Sequence, residues 1–241
     1  MMMHPVQLSA LLLSLCVLGG CGNDANGTQS ADASVQASSA AAAAADTLTG
    51  EPPRVDLTEV GFDKGEPGSD KVYVIEFSDF GCVYCAGFHE DTYPALRDEF
   101  IDGGDVVWKY VPVTIGGFPN TEWAAAASFC AAEQDDFPTL RDRIYSERDA
   151  WMAASEADAP GLLTSFARDE GYDGDAFEAC MARPETMETV ESTSRMAVEV
   201  GIRATPTFVV AGYPVEGAPP LESFREAIQE LLAQIRTPAD G

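Results

Sequence analysis

Basic residues are scarce in this chain of 241 residues: 14 Lys and Arg stand against 40 Asp and Glu, for a formal net charge of −26. Three of the cations are lysines (Lys64, Lys71, Lys109), and none of the 14 precedes Arg54. The imbalance does not come from the N-terminal region, where the first 50 residues hold only three acids, Asp24, Asp32 and Asp46. Such a surface lacks the basic footprint that holds nucleic-acid phosphates, and it does not dock on anionic lipid by charge. Histidine is scarcer still, with His4 and His89 alone. No apolar run reaches the roughly 20 residues of a bilayer-spanning helix, and no internal repeat is visible. What remains is 46% hydrophobic residues, ample for a packed core and too many for a wholly disordered chain. The length allows one large domain or two small ones.

Val6 to Leu18 is an apolar run of 13 residues, the length of a signal-peptide apolar region. It ends in Leu18-Gly19-Gly20-Cys21, which resembles a bacterial lipobox, although the leader has no Lys or Arg. The resemblance implies cleavage after residue 20, lipidation of Cys21 and a membrane anchor there. The alternative is a plain secretory signal with Cys21 incidental. Both place the mature chain outside the cytoplasm, where disulfides persist. Residues 21–53 are small and polar, with alanines at Ala40 to Ala45. They cannot offset the entropy of ordering and read as a tether with a reach of roughly 30 Å.

The folded domain is expected over 54–241. Asp56 to Val60 predicts a short strand, and Val72 to Phe80, rich in β-branched and aromatic residues, predicts a central buried one. After Gly81-Cys82-Val83-Tyr84-Cys85 a helix should run to Tyr93, stopped by Pro94, with a second from Pro94 to Phe100. Val106 to Val113 predicts another strand. A helical block of about 118–200 follows. It comprises an Ala-rich helix at Trp123 to Glu133, helical spacing through Phe137, Leu140, Ile144 and Trp151, and three helices ending before Gly201. Thr205 to Ala211 and the segment from Tyr213 to Gly217 read as a hairpin. The chain ends in an amphipathic helix with Leu221, Phe224, Ile228, Leu231, Leu232 and Ile235 on one face.

The chemistry lies at Cys82 and Cys85. In an exported protein, Cys-x-x-Cys opening a helix after a buried strand is a redox signal. The first Cys sits where free N–H groups and the helix dipole stabilise a thiolate, and only a thiolate attacks. The second is within reach to resolve a mixed disulfide. Cys82 is expected to be the exposed nucleophile and Cys85 the buried resolving thiol. A structural bridge and half a zinc site are the competing readings. Zinc would need two further ligands at short spacing, and His89, one to two turns past the pair, reads as a solvated surface residue. No metal and no organic cofactor is implied. Glu76, six residues before Cys82, puts an acid among core residues of the strand, which is costly without a partner or a task. An acid at the strand margin reaching water is its plainer reading.

Phe77-Ser78-Asp79-Phe80-Gly81-Cys82-Val83-Tyr84-Cys85 resembles the active-site segment of DsbA-like thiol oxidoreductases, and Ala204-Thr205-Pro206-Thr207-Phe208 resembles that family's cis-proline loop. The order of elements is similar to the thioredoxin order with the DsbA-like helical insertion. The resemblance covers roughly residues 54–236. It implies an α/β thioredoxin fold and a cis peptide before Pro206 that leaves the Thr205 backbone free to pair with an extended substrate. It also implies that Glu76 influences the proton on the resolving thiol. The dipeptide Val83-Tyr84 departs from both the Pro-His of the oxidising type and the Gly-Pro of reducing thioredoxins, which leaves the direction of reaction open. Some relatives with the insertion have a second cysteine pair. Here Cys130 and Cys180 are expected to form a structural disulfide, with two buried free thiols as the alternative.

The function expected is extracytoplasmic disulfide exchange with cysteine-containing exported proteins, the pair being reset by a redox partner that the sequence does not name. The alternatives are a reductase dedicated to one client system and a non-catalytic peptide-binding lipoprotein on the same scaffold.

Overall fold

The structure, a computed structural model, describes residues 60–237. The leader, Cys21 and the tether lie outside those residues. So does the strand expected over Asp56 to Val60, apart from Val60, which precedes the first described strand instead of ending it.

Five strands form one sheet in the order β1-β3-β2-β4-β5. They are β1 (Phe62–Lys64), β2 (Val72–Ser78), β3 (Val106–Pro112), β4 (Thr207–Val210) and β5 (Tyr213–Glu216). β2 and β3 are parallel, which demands a crossover, and the helical run between them supplies it. The remaining pairs are antiparallel, with β4 and β5 closing the hairpin. β2 is central, flanked on both edges and covered on both faces, so its sequence is nearly all apolar. Alternation sends Val72, Val74, Glu76 and Ser78 to one face and Ile75 and Phe77 to the other.

Helix α1 covers 83–101 in four stretches. Val83–Gly87 and Tyr93–Leu96 are α-helical, and Phe88–Thr92 and Arg97–Ile101 are π-helical. The helix thus passes through Pro94, where a stop was expected. A proline lacks an N–H and crowds the carbonyl four residues back. The wide turn just ahead relieves both problems, because the Tyr93 N–H already reaches back five residues to the Phe88 carbonyl. α1 packs Phe88, Leu96 and Phe100 with the last helix, α8 (Leu221–Arg236), on one face of the sheet.

Six helices lie between β3 and β4: α2 (Thr121–Ala132), α3 (Phe137–Ser146), α4 (Arg148–Ala153), α5 (Ala159–Asp169), α6 (Gly174–Met181) and α7 (Pro184–Glu199). The spacing that suggested one helix through Trp151 is divided at Glu147, whose backbone (φ −101, ψ 19) leaves the helical region. The Trp151 indole N–H then donates to the Ile144 carbonyl at 2.8 Å and holds α4 onto α3. Ala124 to Ala127 are all buried in α2, as in a helix surrounded by neighbours. A disulfide joins Cys130 of α2 to Cys180 of α6, with Cα atoms 5.7 Å apart. α7 covers the second sheet face, where Ala197 meets Phe77 and Val111. It ends at Gly201 (φ +94), whose left-handed backbone lets the Ile202 N–H reach the Ala197 carbonyl.

Candidate active site

β2 ends at Ser78, and Asp79-Phe80-Gly81 turn the chain into α1. The buried Asp79 carboxylate organises this turn. It accepts the N–H of Gly81 at 2.9 Å, the N–H of Gly116 at 3.1 Å and the hydroxyl of Thr121. Gly81 has to be glycine because a Cβ there would lie 2.3 Å from the Phe118 Cβ. Cys82 follows as the N-cap of α1, with extended backbone. Its Sγ donates to the Thr205 carbonyl at 3.2 Å, and the Thr205–Pro206 peptide is cis. Cys85 lies one turn below, fully buried.

The two thiols are driven apart in acidity. The hydrogen bond from the Cys85 thiol does most to lower Cys82. Against the opposing effect of burial, the backbone N–H groups of Cys85 and Tyr84 and the Thr205 hydroxyl bring it to about 5. Burial, then the hydrogen bond and charge of Cys82, push Cys85 well above the ordinary thiol range. The structure corrects one expectation here. Cys82 is only 4% exposed, because the Thr205 carbonyl, 123 residues later in the chain, lies against its sulfur. The exposed part of the motif is the dipeptide, with Val83 at 58% and Tyr84 at 70%.

Glu76 is 0% exposed, so the water-reaching reading fails. Its Oε1 meets His89 Nε2 at 2.8 Å, and its Oε2 accepts from Trp108 Nε1 at 2.9 Å. Burial would raise this carboxyl, but the hydrogen bonds from His89 and Trp108 hold it below its usual value. His89 is the second correction. It is 7% exposed and not a solvated surface residue, because one turn of helix beyond Cys85 carries it onto the covered face of α1. Burial, reinforced by the Arg141 charge and opposed by Glu76, lowers its pKa and favours the neutral ring. Beside it, Tyr145 hydrogen-bonds Ser78 at 2.9 Å and Tyr110 at 2.7 Å, and its ring stacks on His89 with centroids 5.0 Å apart.

The model of the Thioredoxin family matches residues 64–230. The chain belongs to the thioredoxin family. It is 28% identical over 185 residues to Disulfide bond formation protein D of Bacillus subtilis (strain 168), covering 70% of this chain and 78% of that protein. It also matches a Na(+)/H(+) antiporter, NhaA 3 of Salinispora tropica, of which it spans only 25%. Among solved structures, oxidised BdbD from Bacillus subtilis superposes with a TM-score of 0.62 at 25% identity, over 71% of this chain and 92% of that one. Wolbachia pipientis alpha-DsbA1 shares the fold with a TM-score of 0.63 at 22% identity, over 75% and 94% of the two chains. The protein is therefore a DsbA-like, thioredoxin-fold protein disulfide oxidoreductase.

In this DsbA-like oxidoreductase the fold brings Cys82, Cys85, Thr205 and Pro206 to one end of the sheet, with Glu76 buried behind them. Cys130 and Cys180 lie apart, in the helical block. Sequence reasoning missed Asp79, His89, Tyr110 and Tyr145. Asp79 accepts the N–H of Gly81, two residues on, as an Asx turn does, and an Asp before a glycine is the local signal for such a turn. His89 stands four residues after Cys85, on the same face of the helix. Nothing local signalled the two tyrosines, which come from β3 and α3.

Proposed function

We propose that this oxidoreductase exchanges disulfides with cysteine-containing exported proteins outside the cytoplasm, through Cys82-Val83-Tyr84-Cys85. With the pair oxidised, a client thiolate attacks Cys82 Sγ and breaks the Cys82–Cys85 bond. Cys85 leaves as a thiolate and takes up a proton. A second client thiolate attacks the client sulfur of the mixed disulfide, and Cys82 leaves as a thiolate. The client loses two electrons and the pair gains them, so a redox partner must reoxidise it. Backbone groups of Thr205 pair with an extended client segment beside Pro206, while the exposed Val83 and Tyr84 meet the client. Glu76 handles the Cys85 proton. The sulfurs themselves carry the redox equivalents, so no cofactor is required.

The observation that carries this reading is the pair of opposed thiols, Cys82 near 5 and Cys85 far above it, under the Thr205 carbonyl. A good leaving thiolate at Cys82 makes the disulfide an oxidant. The value lies between about 7 for thioredoxin and about 3.5 for the strongly oxidising type, which supports disulfide donation over reduction, as does the name of the Bacillus subtilis relative. The Leu18-Gly19-Gly20-Cys21 motif supports a lipid anchor on Cys21. Insulin reduction and refolding of reduced ribonuclease, run side by side with Cys82→Ser as control, test the activity. An equilibrium potential between those of thioredoxin, about −270 mV, and of the strongly oxidising type, about −120 mV, is expected, and one at or below about −270 mV would make the protein a reductant.

A further inference from the structure

The turn into α1 is held from the helical block as well as from the sheet. Arg148 opens α4, and its Nε donates to the Gly81 carbonyl at 2.8 Å. Gly81 precedes Cys82, so standard bond lengths put the guanidinium within about 10 Å of the reactive sulfur, roughly one Debye length at 0.1 M salt. The carbonyl fixes the guanidinium by Nε and leaves its two outer nitrogens for other partners. Nη1 meets Asp149 at 3.1 Å, and Nη2 makes no hydrogen bond among the described residues. Asp149 is the adjacent residue and its side chain is 98% exposed, so the pair is weak and screened. The Arg148 side chain is 22% exposed, anchored yet open to water. Its setting is otherwise poor in charge. Val83, Tyr84 and Thr205, which reach solvent about the sulfur, are uncharged. Among nearby acids, Asp79 is buried and bound into the turn, Glu147 is paired with Arg143, and Glu216 lies exposed across from Thr207. Arg203, two residues before Thr205, is turned onto the carbonyls of Val198 and Ile202.

We propose that Arg148 is a specificity residue for the exchange reaction, receiving the carboxylate of an acidic residue that flanks the client's cysteine. The inference rests on the disulfide-exchange reading above and names the class of client. An extended client whose cysteine reaches Cys82 runs past the Thr205 carbonyl on one side and toward Gly81 and α4 on the other. A glutamate or aspartate on that second flank meets a planar fork whose outer N–H groups match carboxylate oxygens. It displaces only the contact with Asp149, which returns to water. A lysine there meets a like charge. Long-range attraction runs the other way, because a chain of net charge −26 draws basic clients. Preference for acid beside the cysteine is therefore the mark of a local contact, not of the overall field. The chemical step is the one already given: the client thiolate attacks Cys82 Sγ, the Cys82–Cys85 bond breaks, and Cys85 leaves as a thiolate.

The test uses the oxidised full-length protein and two peptides with a single cysteine. They are alike except that the residues on either side of it are glutamate in one and glutamine in the other. Acid quench and mass analysis follow loss of the Cys82–Cys85 disulfide under excess peptide at low salt. Each rate is divided by that of the same peptide with hydroxyethyl disulfide, which removes the effect of flanking charge on the thiol itself. The glutamate peptide should lead by about fivefold, and the lead should shrink in about 1 M salt. Arg148→Gln should abolish the lead, Arg203→Gln should leave it, and Asp149→Asn, which frees the guanidinium, should enlarge it. Parity of the two peptides in the wild type overturns the proposal. So does a lead that survives Arg148→Gln or that falls equally in Arg203→Gln. If Arg148→Gln does not fold, Asp149→Asn decides, and an unchanged lead there overturns the proposal. A wild-type disulfide that neither peptide consumes would instead sink the exchange reading itself.

Discussion

Titration of Cys82 in the reduced protein is the perturbation with the plainest outcome. Its thiol is brought from an ordinary 9.0 to about 5. The sign follows from linkage. Between those two values the unfolded chain holds a proton that the folded chain has lost, so stability of the reduced form rises with pH. The gain is lost as pH falls through about 5. Each pH unit in this window is worth about 1.36 kcal/mol, so from pH 5 to pH 7 the reduced form gains roughly 3 kcal/mol that the disulfide form does not. That difference is the driving force for giving the disulfide away. Absorbance of the thiolate at about 240 nm, followed from pH 3 to pH 9, should step near pH 5 and vanish in Cys82→Ser. Urea unfolding of both redox forms at each pH should show the reduced form gaining on the oxidised one. The potential should fall by about 30 mV per pH unit above pH 5, one proton for two electrons, and by about 59 mV below it. A step near pH 8.5, with the steeper slope persisting through neutrality, would refute the reasoning.

Three further outcomes follow from the same region and its support. Glu76→Gln should slow resolution of mixed disulfides by about 10- to 100-fold at pH 7 and leave the Cys82 titration where it is, as rapid-quench mass analysis would check. Asp79→Asn removes a buried negative charge that bears on Cys82, so the thiolate step should move below pH 5; an upward move or none would discount Asp79 as an electrostatic influence. Replacing Cys130 and Cys180 together by Ala opens a loop with a sequence separation of 50. Urea unfolding should then show a loss of about 4 kcal/mol, with the Cys82 titration intact.

What the sequence disclosed were features with a local cause. The apolar run of β2 is legible because a doubly covered central strand needs no polar face. α8 is legible because its stripe of Leu and Ile repeats at helical spacing. The redox pair is legible because two cysteines three apart at a helix start have few other uses. What stayed hidden depends on partners distant in the chain. Burial of Cys82 comes from a carbonyl 123 residues away. His89 looks like any polar residue on a helix until Trp108 and Tyr145 close over Glu76 and its own ring. Passage of α1 through Pro94 turns on a one-residue widening of the helix that no local pattern announces.

The antiparallel pairing of β2 with β4 aligns Phe77 with Thr207, so the end of one strand and the start of the other are neighbours by construction. Nothing inserted between β3 and β4 can pull the sulfur away from the proline loop, whatever its length. The six helices there are thus free to diversify like an exchangeable handle, altering what is gripped while the cutting edge keeps its shape.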